Sequence, residues 1–283
     1  MIYLDYSATT PVNDSVLDSY VKTTTEYIAN ANSIHNLGVK SKELMTKATK
    51  QIANMLGCNF NEIIYTSGAS ESNSTAIKGI AFKYKNRGKH IITSYYEHKS
   101  VVENMDYLSS LGYEISYVNL NSDGSIDLKH LESLIREDTI LVSIMTANNE
   151  IGTIEDIKTI GSICKNNNVT FHTDSVQAIG NVKIDVQEMN IDMLSISAHK
   201  FYGPKGVGAL YVREGIEFDR IQDGGHQERD KRSGTENVAG IAGLGKAIEL
   251  ASNNFDDYTK KLTTIRDYFI DKAIKEFGKK TCV

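Results

Sequence analysis

The sequence predicts an α/β fold with a mostly parallel sheet flanked by helices. Short apolar segments such as His90–Ser94 alternate along the chain with longer segments of helical periodicity. Polar or Gly-rich residues follow several of these apolar segments directly, as ligand-binding residues do at the edge of an open α/β sheet. A length of 283 residues with 40% hydrophobic content is sufficient for a large core.

The composition narrows the function classes. The net charge is −5 and the Lys and Arg residues are scattered, which argues against a nucleic-acid-binding surface. Three cysteines without regular spacing predict a reducing compartment and no cysteine-based zinc site, and we expect no metal centre. No long apolar run predicts a signal peptide or a membrane span, so we expect a cytoplasmic protein.

The first part of the chain predicts two helices and a phosphate cradle. Asn13 caps a helix to about residue 29, and a second helix ends near Leu56. A strand at 62–66 then enters a Ser/Gly turn, with a helix predicted over 74–84. The free N–H groups of such a turn suit a phosphate, although Ser70 and Glu71 are also compatible with an ordinary helix cap. No Gly-Lys-Ser/Thr follows, which excludes a P-loop.

The middle of the chain places polar groups after three strands. His98 follows the strand His90–Ser94, where its ring would stack on a planar ligand or lie on the surface. Strands at 114–118 and 139–145 flank a helix at 127–136. Asn148 follows the second of them, as a ligand contact or as a turn residue. Cys164, on a helix predicted over 154–165, shares an apolar face and is expected in the core.

A strand from Val169 ends in Asp174, and Gln177 follows one helical turn later. A carboxylate in this position can keep the pyridine nitrogen of pyridoxal 5'-phosphate (PLP) protonated. The alternative role for Asp174 is that of a helix N-cap.

Ser197, His199 and Lys200 form a polar run between two apolar strands, before Gly203 and Pro204 turn the chain. A desolvated lysine amine can form a Schiff base, and the Ser and His side chains can bind a phosphate. In isolation, a Lys that follows a His is more typical of a solvated surface pair than of such a site. The C-terminal part predicts a Gly-rich loop at 223–237 for ligand or subunit contacts, a helix at 241–250 and a last helix at 255–277.

Seven motifs together resemble the PLP-dependent cysteine desulfurases of the NifS/IscS type, in the class V aminotransferase group of PLP fold type I. The resemblance covers nearly all 283 residues, and Ser70 stands where Thr is usual. The matching stretches are Tyr3–Pro11, Thr66–Asn73, Glu97–Val101, Asn148–Gly152, His172–Gln177, Ser197–Gly206 and Gln227–Thr235.

The resemblance implies a role for each matched residue. Lys200 would form the Schiff base and move protons, and His98 would stack on the pyridine ring. Asp174 would pair with the ring nitrogen, with Gln177 and Asn148 near the phenolic oxygen. The phosphate ligands would be Ala69, Ser70, Ser197 and His199, and Thr235 would reach the phosphate of the partner in a homodimer.

The implied reaction converts L-cysteine to alanine and a persulfide, which passes to an acceptor such as an iron–sulfur scaffold protein. Family members continue into a small C-terminal domain that carries the nucleophilic cysteine and a carboxylate-binding arginine. The resemblance therefore predicts a C-terminally truncated chain, with an N-terminal segment at 1–14, a PLP-binding large domain at 15–252 and the start of the small domain at 253–283. Cys282 lacks the motif of the family's nucleophile. A catalytically silent PLP-binding protein, a selenocysteine lyase and a transaminase are the alternatives.

Overall fold

A seven-stranded sheet carries the fold. The computed structural model describes residues 2–278. The sheet order is β1-β7-β6-β5-β4-β2-β3, with β7 antiparallel to both of its neighbours and the remaining pairs parallel. The strands are β1 (Ile63–Thr66), β2 (His90–Ser94), β3 (Glu114–Val118), β4 (Thr139–Ser143), β5 (Thr170–Asp174), β6 (Met193–Ser197) and β7 (Gly208–Val212). The predicted α/β class with a mostly parallel sheet is confirmed.

Eight helices are present in the described part of the chain. Asn13 caps the first as predicted, since its Oδ1 accepts a hydrogen bond from the N–H of Ser15 at 2.9 Å. The helices are α1 (Asp14–Glu26), α2 (Asn36–Leu56), α3 (Ala69–Lys83), α4 (Lys99–Ser110), α5 (Leu128–Leu134), α6 (Ile157–Asn166), α7 (Val238–Asn253) and α8 (Phe255–Phe277).

The prediction for the start of α3 is wrong, because the helix begins at Ala69 rather than near Ser74. Its first turns are rich in Ser and Asn, which favour turns by bonding nearby backbone groups. Here tertiary contacts override that preference. Ser72 is fully buried, and its hydroxyl hydrogen-bonds the Thr66 hydroxyl at 2.8 Å and the Ala209 carbonyl at 3.2 Å.

Alternate residues of each strand point into two separate apolar clusters. In β1 and β7, Ile64 and Leu210 lie in the cluster formed with α3 and α4. Tyr65 and Tyr211 lie in the cluster formed with α2, α6 and α7. The sheet is therefore covered on both faces, as a mostly parallel sheet requires.

The loop predicted for ligand or subunit contacts covers the free edge of β1. The Glu228 carboxylate accepts a hydrogen bond from the N–H of Tyr65 at 3.0 Å, and Arg229 donates to the carbonyl of Ile63 at 2.6 Å. Glu228, Arg229 and Asp230 are three consecutive residues with positive φ. Their side chains take the place of a neighbouring strand at an otherwise unpaired edge.

α8 occupies the predicted residues and leaves its apolar stripe exposed. Leu262 is 41% and Phe269 is 70% exposed. The predicted domain boundary at 252/253 falls at the end of α7, beside the start of α8. Cys282 lies outside the described residues, and the predicted small domain stays a prediction.

Neither a membrane span nor a metal cluster is found within residues 2–278. Their helices are too short or too polar to cross a bilayer. The same residues contain no grouping of three or more His, Cys, Asp or Glu side chains suited to a metal ion.

His172 joins the three central strands of the sheet. The side chain is fully buried in β5, and its two ring nitrogens hydrogen-bond Ser143 of β4 at 2.9 Å and Ser195 of β6 at 3.0 Å. Burial lowers the pKa of this imidazole from 6.5 to about 3. The folded chain therefore holds His172 neutral at pH values where the unfolded chain protonates it.

We predict that His172 makes the free energy of unfolding decrease at acidic pH. Because its pKa is lower in the folded state, the unfolded state binds more protons between pH 6.5 and 3, and stability falls as the pH falls through that range. Urea unfolding of the wild type and of His172→Gln should give a stability difference that changes by about 1 kcal/mol per pH unit below pH 6. Parallel stability curves for the two proteins would contradict this assignment.

Candidate active site

The carboxyl ends of the parallel strands meet at one edge of the sheet, around a cavity of about 510 Å³ that we call the site cavity. β1 runs in the same direction as β6, so its end reaches this edge too. Most of the residues singled out from the sequence line the cavity, and these are Ala69, Ser70, His98, Asp174, Gln177, Ser197, His199 and Lys200.

Lys200 stands in a 3-10 turn directly after β6. Its amine donates a hydrogen bond to the carbonyl of Ser7. Partial burial lowers the pKa of this amine, and the nearby carboxylates of Asp174 and Asp5 oppose that shift. A lowered pKa increases the neutral fraction, which is the form that attacks an aldehyde carbon.

The N-terminal segment closes one wall of the cavity. Thr10 donates hydrogen bonds from both its N–H and its hydroxyl to the carbonyl of His199, each at 2.9 Å. The His199 ring hydrogen-bonds the Thr9 hydroxyl at 3.1 Å. The carbonyl of Ser7 accepts a hydrogen bond from Gln177 at 2.9 Å as well as one from Lys200. The N-terminal segment therefore fixes the turn that carries Lys200 relative to Gln177.

Asp174 ends β5 and presents a buried carboxylate to the cavity, with 4% of the residue exposed. Oδ2 accepts a hydrogen bond from the Asn73 amide at 2.7 Å. Oδ1 accepts one from the N–H of Val176 at 3.0 Å, so the side chain also holds the turn that follows. The alternative role as a helix N-cap is wrong, because the described residues between β5 and β6 form no helix. Burial raises the pKa of this carboxyl, and the hydrogen bond from Asn73 opposes the shift.

A phosphate cradle lies between β1 and α3. Gly68 precedes the helix with φ 151° and ψ −177°, a conformation essentially restricted to glycine. A Cβ on Gly68 would lie 3.6 Å from Ser197 Oγ, inside the cradle. A Cβ on Gly208 would lie 2.7 Å from Gly68 Cα, so glycine is needed there for β7 to pass this close. Within residues 2–278 no side chain of the N-cap residue bonds the start of α3, so its first N–H groups are available to bind an anion.

An ion pair forms the outer wall of the cradle. The Glu71 carboxylate accepts hydrogen bonds from Arg232 at 2.7 Å and from the N–H of Ser67 at 2.7 Å. Burial opposes ionisation, but the bonds from Arg232 and Ser67 hold the pKa of Glu71 below its usual range. Arg232 thus balances a carboxylate that would otherwise repel a phosphate, and Lys205 adds positive charge on the cavity wall.

Two of the residues singled out do not line the cavity. The Asn148 side chain is engaged in its own loop, donating to the carbonyl of Tyr96 at 2.9 Å and accepting from the N–H groups of Glu150 and Ile151 at 2.8 and 2.9 Å. Its neighbour Asn149 lines the cavity instead. Thr235 is exposed and does not line the cavity, and its expected contact with a partner's phosphate stays a prediction.

Sequence reasoning missed several residues of the site. Asn73 is fully buried and holds Asp174, yet in the sequence it belongs to a Ser/Asn-rich run typical of a turn. Glu97 accepts hydrogen bonds from Ser94 and from the N–H of Met145, both at 2.9 Å, and so ties the start of the His98 loop to the end of β4. The sequence does not indicate that Glu97 is buried, because a charged residue beside His98 is usually exposed. Ser7 and Thr9 were part of a recognised motif without an assigned role.

The donor set fits PLP. The cradle offers backbone N–H groups and hydroxyls for the phosphate, and the Lys200 amine faces the same cavity. Asp174 is a buried carboxylate with a raised pKa, and a cationic N–H beside it would stabilise its charged form. The His98 ring lines the same cavity.

Comparisons with known proteins agree with this site. The family model "Aminotransferase class-V" matches residues 2–279. A cysteine desulfurase IscS of Dictyoglomus turgidum is 49% identical over 277 residues, covering 98% of this chain and 70% of the relative. A solved "NifS-like protein" aligns with a TM-score of 0.94 at 40% identity, covering 98% of this chain and 76% of that one.

A second solved structure, titled "SspA in complex with cysteine", aligns with a TM-score of 0.86 at 42% identity and covers 88% of this chain and 72% of that one. The chain therefore belongs to the aminotransferase class V family, and relatives that are 43–49% identical to it are named cysteine desulfurases.

We predict that Gly68→Ala weakens binding of PLP by about tenfold or more, because a non-glycine residue at this φ costs about 1–3 kcal/mol and its Cβ enters the cradle. Equilibrium dialysis against PLP and against pyridoxal, which lacks the phosphate, isolates the effect on the phosphate. Gly112→Ala is the matched control, since Gly112 also has positive φ and a Cβ there meets nothing within 4 Å. An equal loss of affinity for both ligands, or none, would refute the cradle.

Proposed function

We propose that this member of the aminotransferase class V family is a PLP-dependent cysteine desulfurase. The observation that carries the proposal is the meeting of three features in one cavity. The Lys200 amine and the buried Asp174 carboxylate face the same space, and the Gly68 cradle forms its far wall. An amine for the aldehyde, a carboxylate for the ring nitrogen and a site for the phosphate are what PLP requires.

Each part of the cofactor would have its own partner. The phosphate would lie against the N–H groups at the start of α3, with Ser70, Ser197 and His199 around it. His98 would stack on the ring, and Gln177 would lie near the phenolic oxygen. Burial lowers the pKa of His199, with the charges of Lys200 and Lys205 acting in the same direction, so its ring is suited to a neutral hydrogen-bonding role.

PLP, when bound, supplies an electron sink that weakens bonds at the substrate's Cα. Lys200 would remove the proton from Cα and return it, because its amine is the basic group of the cavity with a pKa lowered by burial. The carbonyl of Ser7 would orient the Lys200 amine when it is released from the cofactor, since the two already hydrogen-bond. Asp174 would accept a hydrogen bond from the ring nitrogen and hold its proton there.

The sulfur leaves L-cysteine for a thiol. L-cysteine and R–SH give alanine and R–S–SH, so the C–S bond breaks, an S–S bond forms and no external oxidant is needed. Neither of the two cysteines in the described residues lines the site cavity. Burial raises the pKa of Cys164, and it raises the pKa of Cys58 to about 12. Both side chains therefore stay in the thiol form at neutral pH, which is a weaker nucleophile than the thiolate. The accepting thiol would therefore come from outside the described residues, and the persulfide formed on it would pass to a sulfur-acceptor protein such as an iron–sulfur scaffold.

A homodimer is part of the proposal. Thr235 lies in the segment that carries Glu236, whose carboxylate accepts a hydrogen bond from Asn32 at 2.7 Å. The loop of Asn32 also carries Ile34, which is 99% exposed. A fully exposed isoleucine in a loop that contacts the residue after Thr235 supports a subunit contact in this region, where Thr235 would approach the phosphate of the partner.

The test is release of alanine from L-cysteine by the PLP-loaded protein, with dithiothreitol as the accepting thiol. Lys200→Ala should lower the rate by at least about a hundredfold, because the base of the reaction is lost. Lys205→Arg is the matched control, since it changes a second lysine of the same cavity but keeps the positive charge there, and it should retain turnover. Bound PLP without Lys200-dependent alanine release would contradict the desulfurase and favour a cofactor-binding protein without turnover.

A further inference from the structure

Asn73 lies on α3 one helical turn after the cradle, and it is fully buried behind the cavity. Its amide nitrogen donates one hydrogen bond to Asp174 Oδ2 at 2.7 Å and another to Ser100 Oγ at 2.9 Å. One side chain therefore contacts both the carboxylate at the end of β5 and the first turn of α4. Asn73 does not line the cavity itself.

The hydrogen-bond partners determine which way the amide faces. An ionised carboxylate only accepts hydrogen bonds, so the nitrogen of Asn73 must point to Asp174. The other amide atom, Asn73 Oδ1, is buried and has no hydrogen-bond partner within the described part of the chain. A buried polar atom without a partner lowers stability. The amide nitrogen of Asn73 therefore supplies hydrogen bonds to Asp174 and Ser100, while Asn73 Oδ1 stays without a hydrogen bond in the described part of the chain.

Ser100 connects the Asn73 amide to the ring of His98 through hydrogen bonds. Because Ser100 Oγ accepts from Asn73, its own proton is available for His98 Nδ1, which lies 2.8 Å away. The backbone N–H of Ser100 also donates to Nδ1, at 3.1 Å. Two donors at Nδ1 require this nitrogen to be an acceptor, so the proton of the neutral ring lies on Nε2.

We propose that Asn73 is a positioning residue for both Asp174 and His98, and that its link through Ser100 holds His98 as the Nε2–H tautomer. The two side chains assigned to the nitrogen and the face of the cofactor ring are thus set by one amide. This inference rests on the proposed function, because the roles of Asp174 and His98 presuppose a planar ring with a protonated nitrogen in the cavity.

The first test uses the protein without cofactor. Two-bond ¹H–¹⁵N spectra of the histidine rings, with His98→Gln to assign the signal, should show His98 protonated at Nε2 and unprotonated at Nδ1 at neutral pH. Ser100→Ala should shift the Nδ1 resonance, because one of its two donors is lost. Ser100→Thr keeps the hydroxyl and should restore the wild-type resonance. A proton on Nδ1, or an unchanged spectrum in Ser100→Ala, would overturn the link to His98.

The second test measures PLP affinity by equilibrium dialysis and thermal stability in parallel. Asn73→Asp preserves size but replaces the amide donors with a second carboxylate beside Asp174, and it should raise the Kd for PLP by about tenfold or more. Asn73→Ala should act in the same direction. Asn104→Ala is the matched control, because Asn104 is also a buried amide that links α4 to α3, through Ser74 at 3.0 Å. Its other hydrogen bond goes to the backbone carbonyl of Ser100, so it contacts neither the Ser100 hydroxyl nor the side chains of Asp174 and His98.

Both Asn73 variants should bind PLP more weakly than the wild type. Asn104→Ala should keep the wild-type affinity for PLP even if its Tm falls as much as theirs or more. A Kd for Asn73→Asp within about twofold of the wild type would overturn the proposal. If the wild type binds no PLP, the proposed function fails, and the spectra of the cofactor-free protein still decide the role of Ser100 and His98.

Discussion

The buried carboxylate of Asp174 is the group on which the rest of the site depends. An ionised carboxylate that is 4% exposed is costly unless hydrogen bonds and opposite charge surround it. Here the surroundings supply an amide from α3, a backbone N–H from the following turn and the nearby charge of Lys200. Those contacts do not fully offset burial, since the pKa remains raised. A cation in the cavity would complete the site electrostatically, as a protonated pyridine nitrogen would if PLP were bound.

The sheet makes this arrangement possible. Parallel strands end at the same edge, so residues that are far apart in sequence reach one cavity without long loops. The antiparallel strand β7 begins at that edge with Gly208 and lets the backbone of Gly68 approach it closely. The N-terminal segment then closes the cavity from outside, held by bonds from Thr10 to His199 and from Gln177 to Ser7. Sheet, cradle and N-terminal segment therefore act as one frame around Lys200.

The fold and much of the site were accessible from the sequence because their signals are local. Apolar periodicity located the strands, and the polar residues that follow them, such as Asp174 and Lys200, marked the sheet edge. The start of α3 was not accessible, because burial of Ser72 and Asn73 reverses the turn preference of a Ser/Asn-rich run. Nor was the orientation of Asn148, since its amide is used within its own loop, and the spacing of residues in the sequence does not indicate such a contact. The resemblance supplied roles, but the residues that support those roles come from contacts distant in sequence.

The most direct test of the account is to trap the cofactor on the protein. PLP-loaded protein would be reduced with sodium borohydride, digested, and mapped by mass spectrometry for a phosphopyridoxyl group on lysine. The account predicts one dominant modified residue, Lys200, whose amine lies in the site cavity with a pKa lowered by burial. Modification mainly at Lys205 or spread over surface lysines would contradict the assignment of this cavity as a PLP site.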